Sequence, residues 1–139
     1  MKTKKKMMSL LLAVCMVLTL MPTIALAEES TVDTWDGSAD TSWYTEHKSD
    51  VEYHITTAEQ LAGLAQLVND KTTSTSFAGK KIYLDNDLDL SGHQWSPIGT
   101  GSNHANFFAG VLEGQNHKIM NLYHHTAEND FRNGLFGIV

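Results

Sequence analysis

Cysteine is all but missing from this chain of 139 residues: the single one, Cys15, lies in an N-terminal apolar stretch. "MKTKKK" gives that stretch a cationic start. "MMSLLLAVCMVLTLMPTIALA" gives it an apolar core ending on Ala25-Leu26-Ala27, and the small residues Ala25 and Ala27 fit a signal-peptidase site before Glu28. A membrane anchor would need an apolar span of roughly 20 residues with a charged stop after it, whereas Pro22 interrupts this run and the acidic pair Glu28-Glu29 follows it. Nor does Cys15 suit a lipobox, because Val14 precedes it and apolar sequence continues beyond. The sequence therefore predicts a signal peptide over residues 1–27, export to the surface or the medium, and no membrane attachment after cleavage. The product has no disulfide, so its stability must come from core burial, repeat stacking or a metal.

Positive charge is scarce as well. Beyond the leader, six basic residues (Lys48, Lys71, Lys80, Lys81, Lys118 and Arg132) stand against 16 acidic ones, a net charge of −10. That balance excludes nucleic acid and anionic lipid as natural partners. Arg132 is the sole arginine, which leaves little to hold the carboxylate of a uronate substrate. No Ser/His/Asp or Cys/His nucleophile set, phosphate loop or nucleic-acid motif is present. The reading is that no catalytic residue lies in this chain.

What remains, Glu28 to Val139, is 112 residues, enough for one core-forming domain. Residues 28–50 are a polar lead-in with aromatic islands at Trp35 and at Trp43-Tyr44. "VEYHI", Val51 to Ile55, alternates at period two and predicts a strand. The period then lengthens, with Leu61, Leu64, Ala65 and Val68 at helical spacing and Thr57 with Gln60 placed for a capping box, predicting a helix over Ala58 to Asn69. The polar run "NDKTTSTS" closes that 51–76 segment. From Phe77 to Val139 only short alternating runs occur, separated by Gly, Asn and Asp. In "KIYLDNDLDL", Ile82, Leu84, Asn86, Leu88 and Leu90 share one face of an extended chain, and Asp85, Asp87 and Asp89 share the other. "FAGK" at Phe77 returns as "FAGV" at Phe108, 31 residues on, and "LFG" at Phe136 follows after another 28. Such intervals suit stacked coils, with a small antiparallel sandwich as the competing fold.

The order of blocks resembles a known family. "YHITTAEQLAGLAQLVND" (Tyr53 to Asp70), "FAGKKIYLDNDLDL", "WSPIG" (Trp95 to Gly99), "FAGVLEGQNHKIMNLY" (Phe108 to Tyr123) and "GLFG" are similar to the start of bacterial GLUG-motif surface proteins, over nearly all of the exported chain. Glu113 stands where that pattern has Asp, and Asn116 where it has a second Gly; Asn tolerates positive φ, so the turn is retained. The resemblance implies an all-β fold, the first coils of a right-handed parallel β-helix behind one N-terminal cap helix, with a structural or adhesin-like role. It also implies that "GLFGIV" belongs to the middle of a coil. The expectation is then an N-terminal fragment of a longer protein or a truncated product, prone to self-association through an open C-terminal coil.

The sequence offers two sets of candidate ligand-binding residues. Asp85, Asp87 and Asp89 form an acidic face; they fail the EF-hand spacing, since Leu90 stands where Gly is needed and Ser96 where Glu is needed. A looser Ca²⁺ site completed by backbone carbonyls is the alternative to a solvated outer face; otherwise no cofactor is implied. Trp35 and Trp43 suggest a sugar-stacking platform, with packing as the competing explanation. The partners these sets suit are host or cell-wall glycan or protein, so a carbohydrate-binding or carbohydrate-active module is the alternative function. The seven histidines include no H-E-x-x-H and no i, i+4 pair, so no zinc site is expected.

Overall fold

The computed structural model describes residues 31–101, 105–125 and 132–139; the predicted signal peptide over 1–27, and His104, lie outside the described residues. In chain order the elements are α1 (Ser42–Thr45), β1 (Glu52–Ile55), α2 (Ala58–Asn69), β2 (Lys81–Leu84), β3 (Leu88–Asp89), β4 (Val111–Glu113) and β5 (Ile119–Met120).

Helix α2 begins where the sequence says it should. Thr57 is extended, and its side chain accepts from the Gln60 N–H, while the Gln60 side chain returns to the Thr56 N–H at 2.7 Å. These bonds satisfy donors that a helix start leaves open. Leu61, Leu64, Ala65 and Val68 face the interior, together with Ala58, Ala62 and Gly63. Gly63 is required by contact: a Cβ there would lie 1.8 Å from the carbonyl oxygen of Asp40, so only glycine lets the lead-in lie against the helix. Asp70 ends the helix by taking the Thr72 and Thr73 N–H groups on its Oδ1.

The strands pair in parallel. β2 lies between β1 and β4, with Ile82 in register with Tyr53 on one side and Leu112 on the other. β3 pairs with β5, setting Leu88 against Ile119 and Asp89 against Met120. Each return of the chain thus lies alongside its predecessor. Ile55, Ile82, Leu84, Leu88, Leu90, Trp95 and Ile98 join the buried residues of α2 in one core. Each such side chain stabilises by about 1.5–3 kcal/mol when fully buried.

This arrangement corrects the expected all-β fold. The described residues are mixed α/β: five strands of two to four residues form two small parallel sheets beside a 12-residue helix, and no right-handed parallel β-helix with a cap helix is shown among them. The Phe-Ala-Gly spacing reflects parallel returns, but β2, β4 and β5 stop at Asp85, Gly114 and Asn121. The stretch Lys81 to Leu90 breaks in its middle, where Asn86, expected inward, is exposed and donates to the Thr56 carbonyl at 3.2 Å. Gln115, Asn116 and Asn121 sit at φ of 48°, 67° and 56°, turning the chain before and after β5. The ending "GLFGIV" contributes an isolated bridge, Ile98 to Phe136. It is pinned by bonds from the Gly137 and Ile138 N–H groups to Ile98 and Gly99.

The lead-in is held on by aromatics and one lysine. Trp43 stacks on Phe77 with ring centroids 5.9 Å apart and meets Tyr53 edge-on at 5.3 Å. The Lys80 ammonium donates to the Lys48 and Asp50 carbonyls and to the Tyr53 hydroxyl, and lies 5.8 Å from the Tyr44 ring centroid.

Candidate functional site

The acidic face is where the sequence places it, on the outer side of β2 and β3, while Leu84, Leu88 and Leu90 point into the core. Its three carboxylates, however, face neighbouring returns of the chain. Asp85 meets His54 Nδ1 at 2.8 Å on the preceding return and accepts from Gln115 Nε2 at 2.6 Å on the following one. Asp87 Oδ1 takes the Lys118 N–H at 2.9 Å and lies 3.1 Å from His117 Nδ1. Asp89 Oδ1 takes the Asn121 amide and the Ser91 N–H, each at 2.9 Å. The partners on neighbouring returns lie 30 to 32 residues away in sequence, so these are ties between returns.

Those donors favour the ionised carboxylate. The Lys118 N–H, then His117, holds Asp87 below its ordinary value; the Asn121 amide, then the Ser91 N–H, does the same for Asp89. Among the described residues, no three His, Cys, Asp or Glu side chains gather as a metal cluster would. Asp85 uses both carboxylate oxygens in these ties, while Asp87 and Asp89 make theirs through Oδ1.

Neither tryptophan forms a platform. Trp35 is 6 % exposed, donates its Nε1–H to the Ser38 carbonyl at 2.7 Å, and meets Trp95 edge-on at 5.7 Å. Trp43 is half-buried and donates to the Gln60 carbonyl at 3.2 Å. Both fix the lead-in to the core; the Trp35 backbone N–H bonds the Asp89 carbonyl at 3.1 Å, but the Trp35 ring is buried and shares no site with the three carboxylates.

The structure instead forms a groove of about 430 Å³ between the lead-in, α2 and the Trp95 loop. Ala62 and Ala65 make a shallow floor, and buried Trp35 and Trp95 border it. Gln66, Asp70, Gln94 and Ser96 contribute polar groups to its lining. Asp70 Oδ1 is occupied by the two threonine N–H groups, which hold the carboxyl below its ordinary value, the Thr73 bond first. The Thr72 and Thr73 side chains add to that effect. Gln94 is anchored through Nε2 to the His125 carbonyl at 2.7 Å, which leaves Oε1 as an acceptor. Asn69 lies in the same wall, but its side chain is a clamp: Nδ2 donates to Pro97 O, and Oδ1 accepts from Gly99 and Thr100 N–H. Sequence reasoning missed this groove. Its signal was the pair of alanines one helical turn apart on α2, which reads in sequence only as an apolar stripe.

Compared with family models, curated proteins and solved structures, the chain matches none.

Proposed function

We propose that this chain is an exported bacterial surface or secreted segment with a structural, adhesin-like role and no chemical step of its own. One observation carries the reading: the residues best suited to chemistry, Asp85, Asp87, Asp89, His54 and His117, are engaged in ties between adjacent returns of the chain. A catalytic carboxylate pair would face a common space where a substrate can lie; these carboxylates face neighbouring backbone and side chains. The leader-like residues 1–27 and the resemblance to GLUG-motif surface proteins support export and a surface role. The partner class is host or wall glycan or protein.

Fractionation of the native culture tests this. The expected outcome is the chain, lacking residues 1–27, in the wall or medium fraction, adhering to wall or host polymer without altering it. Retention in the cytoplasm with the leader intact, or turnover of a polymer to which it binds, would overturn the proposal.

A further inference from the structure

We propose that the groove floored by Ala62 and Ala65 binds a neutral sugar ring, which makes it the contact point of the surface role proposed above and rests on that reading. Its volume of about 430 Å³ falls within the roughly 300–1,000 Å³ of small-ligand clefts. The occupant follows from the polar groups. The Asp70 carboxylate and Gln94 Oε1 are acceptors, the Ser96 hydroxyl and the Gln66 amide both donate and accept, and no cationic side chain is among the lining residues. An acceptor-rich rim of this kind calls for a ligand that supplies several hydroxyl donors. The shallow alanine floor takes an apolar ring face, which a pyranose has and a linear polyol lacks.

Charge narrows the class further. Asp70 is held in its ionised form by its turn, and the exported chain carries a net charge of −10. A uronate or sulfated sugar would bring a second anion beside an unneutralised carboxylate, which costs affinity. The tryptophans offer little ring face to a ligand, since Trp35 and Trp95 are 6 % and 1 % exposed and both indole N–H groups are consumed by backbone carbonyls, of Ser38 and Leu135. The groove therefore holds one ring in an open cleft without aromatic stacking, and its binding is weak and additive along a polymer that engages many copies.

Isothermal titration of the full chain with chitotetraose, cellotetraose, mannotetraose and tetragalacturonate, with reducing ends measured in the same samples, tests the proposal. At least one neutral tetrasaccharide should bind saturably, and tetragalacturonate at least tenfold more weakly. Gln66→Ala should weaken the neutral ligand about tenfold with an unchanged melting temperature, because Gln66 is exposed on α2. Absence of neutral binding, equal binding of the uronate, or affinity indifferent to Gln66→Ala would each overturn the groove assignment and leave the surface role standing. Release of new reducing ends would instead overturn the non-catalytic reading, whatever the affinities.

Discussion

β2 and β4 are neighbours in one sheet, each preceded by Phe-Ala-Gly, yet they live in different surroundings. Ile82, on β2, is fully buried; its partner in register, Leu112 on β4, is only half-buried, and Val111 is 46 % exposed. The same contrast holds for Leu88 against Ile119 in the second sheet. The difference follows position: β2 has a strand on each side and β3 has β5 on one side and the Thr34–Asp89 bridge on the other, while β4 and β5 pair on one side only among the described residues. Burial of a strand here goes with the number of neighbours it has.

The sharpest test removes a core residue that ties an early return to the late segment. Trp95→Ala should cost about 3–5 kcal/mol, since Trp95 is 1 % exposed and its Nε1–H reaches across to the Leu135 carbonyl at 3.2 Å. Urea unfolding should show that loss as a lower midpoint at similar slope; an unchanged midpoint would mean the late segment is not anchored through Trp95. The registered pair comes next. Ile82→Ala should destabilise by about 2–5 kcal/mol and Leu112→Ala by under about 1.5 kcal/mol, because a half-exposed side chain loses less contact when truncated. Equal losses would break the comparison. A smaller effect, about 1 kcal/mol, is expected for Thr57→Ala, which deletes the α2 cap. Its helical circular dichroism should melt earlier, and Thr57→Ser should restore it.

Acid should act last and on both regions together. Serine donors lower Asp36 and Asp40 in the lead-in, the Thr73 N–H lowers Asp70, the Lys118 N–H lowers Asp87, and the Asn121 amide lowers Asp89. A carboxyl depressed by folding adds stability above its unfolded value, near 3.8, and that stability is lost as pH falls through the folded value. Melting temperature should therefore be flat from neutrality down to about pH 4 and fall below it. Asp87→Asn combined with Asp89→Asn should flatten the fall.

Helix α2 was legible because its signals are local: spacing, a cap and a polar stop agree within a dozen residues. The inward set Ile82, Leu84, Leu88 and Leu90 was legible from alternation for the same reason. Asn86 was not, because its side chain follows a turn stabilised by Thr56 some thirty residues upstream. The acidic face illustrates the limit most clearly. Period two put Asp85, Asp87 and Asp89 on the outside, but nothing local says that Gln115, Lys118 and Asn121 will arrive beside them. The fold class failed on a similar point: the recurrence of Phe-Ala-Gly marked parallel returns, while the Asn and Asp breaks that hold the strands to two to four residues carry their effect only once the returns are in place.

Lys80 has a consequence for chemical labelling. Its ammonium donates to two carbonyls and a phenol, so acylation at that nitrogen must first detach it from Lys48, Asp50 and Tyr53. Lys71, Lys81 and Lys118 are exposed and should be modified quickly, with Lys80 trailing them. The lag at one amine, read by mass spectrometry of peptides, would then report how often the aromatic lead-in lifts from the sheet under native conditions.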